Sequence, residues 1–260
     1  LLVPCLILSV IPGNPALEKV SSAVWSVGFG FTFVVAGFAV AALFGWMARL
    51  RSGHGLRSFA LTAGIQNYGY LPIPIIAELF SEKSGPMGLV FVHGIGVEIA
   101  MWTVGLVILT GSAGWKSIVN GPFIAVVAAL FTNYTGLYRL IPLPIGNALE
   151  TLGQCAIPIS ILMIGATIGT FFRREIFEDA FRVTLAGVVV RMVVLTFVIL
   201  VVTRFLPAPP DLKKLMVIQA AMPVAVFPII LTRLFGGSPT VSIQLVAGTS
   251  LVSVFTSPLV

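Results

Sequence analysis

Charge is what this sequence has least of. Asp, Glu, Lys and Arg make up 9% of its 260 residues, where a soluble domain carries about 25%. With 58% hydrophobic residues there is too little polar surface to clothe a water-soluble globule, and that class is excluded. The remaining charge is mostly basic, fifteen Lys and Arg against nine Asp and Glu for a net +6. These residues stand singly or in short groups between apolar runs, so they do not form the one-faced patch that a nucleic acid needs; the basic balance fits membrane topology instead. Cysteine is equally sparse. Cys5 and Cys155 each lie inside an apolar run, and the pair offers neither a disulfide framework nor a metal site, so no metal is expected and the redox compartment is not readable. The chain contains no HExxH, no GxSxG with a His partner, no P-loop and no dinucleotide fingerprint. Those absences argue against an intramembrane enzyme, an ATP-driven pump and a bound cofactor.

What the sequence has in abundance is apolar runs. A helix needs about 20 apolar residues to cross a bilayer, because every backbone N–H and C=O must find its partner within the segment. Nine segments meet or approach that criterion, at about 1–12, 22–48, 58–80, 87–111, 117–136, 144–171, 182–206, 211–235 and 239–260. The connections are short. The expected fold is an all-α polytopic membrane protein.

Proline exposes an internal repeat. Val3-Pro4-Cys5-Leu6-Ile7 in segment one has a counterpart in Ile157-Pro158-Ile159-Ser160-Ile161 of segment six. The Pro72 and Pro74 of segment three are matched by Pro223 and Pro228 of segment eight. The spacing agrees as well: 72 − 4 is 68 residues and 223 − 158 is 65. A duplication explains this, with residues 1–111 as the first copy and 112–260 as the second. Segment five precedes segment six in the second copy, so the first is expected to own one more helix upstream of Leu1, within roughly 30–40 residues. Ten helices in two five-helix units follow. Because five is odd, the units are expected to be inverted, as in secondary transporters. Loops on one side carry eight Lys and Arg against six on the other, a bias that puts the first side in the cytoplasm and the termini outside.

Two prolines in one membrane helix remove donors and release carbonyls. In hydrocarbon that is costly unless the freed groups line a polar cavity or meet another chain. Segments three and eight both do this, in corresponding places, and paired broken helices point to a midplane binding site whose half-helix N-termini attract anions and C-termini attract cations. Gln66, Asn67 and Tyr68 surround the first break, and Gln219 and Met222 flank the second. The bland alternative is a pair of ordinary proline kinks in a packed bundle. Glu98 stands near the centre of segment four, where an isolated charge costs at least about 2.5 kcal/mol. On helical spacing it shares a face with Gly94 and Gly105, which admits a close neighbour. It is a candidate for proton or cation coupling, or else a structural partner. Arg191, inside segment seven, is the candidate to pair with it or to attract an anionic substrate, unless it snorkels to the interface. His93 points away from Glu98 and is expected to pack neutral. Gly28, Gly30, Gly37, Gly165 and Gly169 are expected to serve helix packing.

Several of these stretches resemble one known family. Asn67-Tyr68-Gly69-Tyr70-Leu71-Pro72 looks like the fourth-helix motif of the auxin efflux carrier family, although the usual glycine before the proline pair is absent. Ala220-Ala221-Met222-Pro223-Val224-Ala225 is similar to its ninth-helix motif, Ile157-Pro158 through Gly165-Ala166 to its seventh, Leu2 through Ile7 to its second, and Thr249 through Pro258 to its tenth. The resemblance implies a scaffold domain (about 1–12, 117–136 and 144–171) and a transport domain (about 22–111 and 182–260) whose fourth and ninth helices cross at the substrate site. It carries Asn67, Pro72, Pro74, Pro223 and Pro228 into that crossover. It implies export or uptake of a small organic anion and a homodimer formed through the scaffold. Apart from the resemblance, protons or sodium are candidate coupling ions. The short join near 111–117 favours a bacterial-type member in the inner membrane. Two other readings stand beside it: a membrane receptor that binds the anion without moving it, and a cation-coupled carrier of a bile-acid-like anion.

Overall fold

The computed structural model describes residues 2–50, 54–80, 84–171 and 181–259. Among these residues the regular structure is helical, apart from one isolated antiparallel bridge between Gln66 and Val224. In chain order the helices are α1 (Leu2–Val10), α2 (Val20–Met47), α3 (His54–Ala63) and α4 (Pro72–Phe80). They continue with α5 (Gly85–Thr110), α6 (Gly121–Thr135), α7 (Leu143–Gln154) and α8 (Ala156–Phe171). The last four are α9 (Phe181–Phe205), α10 (Pro210–Ala221), α11 (Phe227–Leu234) and α12 (Pro239–Thr256). Among the described residues α2, α5, α9 and α12 are long and apolar enough to cross a membrane. The chain is an all-α polytopic membrane protein.

Local chemistry sets the ends. At the start of α6 the side chain of Asn120 accepts from the amide of Phe123 at 2.9 Å, and Pro122 sits in the first turn, where its missing N–H costs nothing. Gly136 ends the same helix in the left-handed conformation, φ 75°. The segment expected to run unbroken over 144–171 is two helices, α7 and α8, meeting at Cys155. The reason is Pro158, which has no N–H to give the carbonyl of Gln154.

Glycine allows the closest packing. The backbone of α2 lies against α5, where a Cβ on Gly30 would collide with the carbonyl of His93 and one on Gly96 with that of Val27. The first half of α9 lies on α12, where Gly187 meets the side chain of Leu245 and Gly248 that of Thr184. Gly37 meets Gly64, where α3 ends, so the broken segment reaches the backbone of α2. The packing role expected of Gly28, Gly165 and Gly169 is not what the structure shows: a Cβ on any of them would meet nothing within 4 Å. These three lie on outward faces, where close approach is not needed.

Two of the long helices contain a π turn, Met101–Gly105 in α5 and Val189–Leu195 in α9. A π turn holds an extra residue and rotates everything beyond it. The face expected to carry Gly94, Glu98 and Gly105 together is therefore split. Gly94 faces the ring of Tyr68 at 3.5 Å, whereas Gly105 faces Leu61 and Phe38. The basic loop positions Arg51, Lys83, Arg173 and Arg174 lie outside the described residues.

Candidate functional site

The site begins with two interruptions. Helix α3 stops at Ala63 and α4 starts at Pro72; α10 stops at Ala221 and α11 starts at Phe227. Proline explains both. In a continuous helix Pro72 would owe an N–H to Tyr68, Pro74 to Tyr70, Pro223 to Gln219 and Pro228 to Val224, and it has none to give. The interrupted backbones then satisfy each other. The amide of Asn67 donates to the carbonyl of Pro223 at 2.8 Å, and the amide of Ala225 donates to the carbonyl of Ile65 at 2.9 Å. Two of the carbonyls that proline releases find side chains instead. Gln219 Nε2 donates to Tyr68 O at 3.2 Å, and Arg191 donates to Gln219 O at 2.6 Å. Thr249 Oγ1 accepts from the Val224 amide at 3.3 Å.

In front of this crossover is a cavity of about 250 Å³. The first break contributes Asn67 to Tyr70, the second Ala225 to Phe227, and α5 contributes Gly94, Glu98 and Trp102. The opposite wall comes from Val3 and Ile7 of α1, Asn120 and Phe123 at the start of α6, and Ala156 and Ser160 of α8. Aromatic rings are interleaved with aliphatic side chains, and Trp102 meets Phe227 edge-on with centroids 5.8 Å apart. Glu98 is the one carboxylate in the lining, and no Lys, Arg or His is found there among the described residues. Its Oε2 accepts from Asn120 Nδ2 at 2.5 Å and its Oε1 from the Tyr68 hydroxyl at 3.4 Å.

The pairing of Glu98 with Arg191 does not occur. Arg191 is only 1% exposed and gives its donors to carbonyls at the end of α10: Nε to Met222 at 2.8 Å, and Nη2 to Gln219 at 2.6 Å and to Ala220 at 3.3 Å. Backbone oxygens released by the break compete successfully for the guanidinium, because they face it directly and have lost their helical donors. The same bonds overturn the snorkelling alternative, since this side chain turns inward.

The other sequence-derived residues divide between lining and support. Asn67, Tyr68 and Glu98 line the cavity, while Gln66, Gln219, Met222 and Pro223 are buried behind it in the crossover. Pro72, Pro74 and Pro228 shape the helix starts without lining it. His93 is fully buried and is not part of the lining. Residues that sequence reasoning missed are Asn120, Trp102, Phe227 and Thr249. Only Asn120 had a local signal, as an Asn two positions before a proline that opens a helix.

No curated protein matches the chain. A family model described as membrane transport protein matches residues 1–114 and 106–260, which together span the described structure on both sides of the crossover. With that match over its whole length, and the motifs that resemble those of auxin efflux carriers lying at the crossover itself, the chain belongs to the membrane transport protein family and is a membrane transporter.

Proposed function

We propose that this chain is a secondary transporter that moves a small organic anion, a mono- or dicarboxylate, together with a proton through the cavity at the crossover. The observation that carries this reading is Glu98 as the one carboxylate of the lining among the described residues, hydrogen-bonded but with no cation of theirs beside it. An organic anion entering the cavity meets that carboxylate. Two negative charges at about 4 Å repel by several kcal/mol at the effective dielectric of a protein site. A proton on Glu98 removes the repulsion and turns the carboxyl into a donor for the substrate. The amides at the start of α11, Val226 and Phe227, which find no backbone acceptor among the described residues, supply further donors with the positive end of a helix behind them.

Alternating access follows from two bodies. The cavity lies between α1, α6 and α8 on one wall and the crossover with α5 on the other, which supports 1–12, 117–136 and 144–171 as the scaffold and the rest as the moving part. The antiparallel bridge joins the two broken helices into one unit. The packing of α2 on α5 and of α9 on α12 supports the inverted five-helix repeats. Exposed apolar side chains on α6 and α7, among them Ile124, Phe131, Leu143 and Ile145, suit a homodimer formed through the scaffold. A bacterial inner membrane is the proposed location. The cavity is at or below the about 300–1,000 Å³ of drug-sized sites, which favours a small carboxylate over a bile-acid-like one.

The test is uptake into proteoliposomes of a panel of labelled mono- and dicarboxylates, with and without an imposed pH gradient. Saturable uptake of one of them, driven by acid on the loading side, is expected. Specific binding without flux would make the protein a receptor instead.

A further inference from the structure

The end of α10 is unusual in how its carbonyls are met. Pro223 has no N–H for Gln219, and the chain turns extended at Met222, with φ −73° and ψ 142°, so the last carbonyls of the helix lose their regular helical donors, Gln219 keeping a long bond from the Met222 amide at 3.4 Å. The four carbonyls from 219 to 222 are all reached from outside. Arg191 takes Gln219, Ala220 and Met222; the Thr196 hydroxyl also donates to Ala220 at 2.8 Å, and the Ser257 hydroxyl to Ala221 at 3.1 Å. Arg191 is held at this depth by the π turn Val189–Leu195, and the same Thr196 hydroxyl, whose single proton the Arg191 carbonyl can take only in place of or shared with Ala220, lies 3.1 Å from that carbonyl. No carboxylate bonds to it among the described residues. A positive charge bonded to three backbone carbonyl oxygens has the environment of a bound hard cation, which takes oxygen ligands. In transporters with broken helices it is the unwound carbonyls and half-helix C-termini that hold the coupling ion.

We propose that Arg191 is a tethered cation: it fills the cation position at the C-terminal end of α10, so that no metal ion is bound there and the coupling is left to Glu98. The word coupling rests on the transporter reading; the occupancy of the position does not. Removing the charge while keeping donors opens the position, and a small cation from solution takes the place of the guanidinium.

The experiment compares the melting temperature of wild type, Arg191→Lys and Arg191→Gln, each purified in detergent, in sodium, potassium, choline and dilute guanidinium chloride. Lysine keeps the charge with a different shape, and glutamine keeps amide donors without charge. Wild type and Arg191→Lys are expected to melt at temperatures indifferent to the cation. Arg191→Gln is expected to melt about 5 °C or more below wild type in choline, and to regain most of that loss in sodium or in guanidinium through mass action. The idea is overturned if Arg191→Gln is as stable as Arg191→Lys, or if no cation restores it. If Arg191→Gln does not yield folded protein, wild type decides. A sodium-specific rise in its melting temperature that persists in Glu98→Gln overturns the proposal, and indifference to sodium upholds it. Because the readout is stability, absence of flux in wild type would sink the transporter reading and leave this assignment standing.

Discussion

Asn120 holds the carboxylate of Glu98 from across the cavity, its side-chain amide 2.5 Å from Oε2, while its oxygen caps the first turn of α6 through the amide of Phe123. One side chain therefore ties the start of the second half of the chain to the middle of α5. If the two walls part as proposed above, this bond is one that breaks and remakes in each cycle.

Glu98→Gln should remove the pH-gradient dependence of uptake and leave folding nearly intact. Glutamine still offers an oxygen to Asn120, and no buried cation is stranded because Arg191 is bound elsewhere. A melting temperature within about 2 °C of wild type is expected, the scale of a near-neutral substitution. Flux measured on the same preparation decides the matter: an unaltered pH dependence would dispose of the proton role.

Asn120→Ala should cost about 1–3 kcal/mol, from the lost cap and from a polar partner left unmet at Glu98. Asn120→Ser separates the two effects. Serine caps a helix as well as asparagine does but is too short to reach Glu98. Melting curves should show most of the stability returning, while the pH profile of uptake stays altered in both variants.

At Gly64 a methyl group would stand 2.6 Å from the backbone nitrogen of Phe38 and 2.7 Å from the carbonyl carbon of Gly37. Backbone cannot step aside as a side chain does, so Gly64→Ala should destabilise by about 1–3 kcal/mol. Gly28→Ala is the control, since a Cβ there meets nothing within 4 Å; it should change stability by less than about 1 kcal/mol. Equal melting temperatures for the two would contradict the close approach of α2 to the first break.

Thr249→Val keeps the shape of the side chain and removes the oxygen that, among the described residues, accepts from the Val224 amide in the second break. An amide left buried without an acceptor costs about 1–3 kcal/mol. Thermal unfolding of Thr249→Ser, which retains the hydroxyl, should recover most of the loss.

The broken helices were legible because proline's missing donor is a covalent fact, and Pro72, Pro74, Pro223 and Pro228 recur at matched intervals. Their consequence, a pair of interrupted segments, needed no tertiary information. The fate of Arg191 did need it. A sequence displays side-chain charges and hides the partial charges of released carbonyls, so Glu98 stood out as the only visible counter-charge while the true acceptors were backbone atoms at 219–222. The π turn in α5 was hidden for a similar reason: one extra residue in a turn leaves the apolar pattern intact and still moves Gly105 off the face of Gly94. Pro158 was visible, yet its effect at Cys155 was not separated from the apolar run around it.

The two hydrogen bonds that join Asn67 to Pro223 and Ala225 to Ile65 run between main-chain atoms alone. Substitution leaves such a joint untouched unless it introduces proline at the donating positions, 67 or 225. Side chains around the cavity can therefore drift, by evolution or at an engineer's hand, while the joint between the two broken segments stays the same.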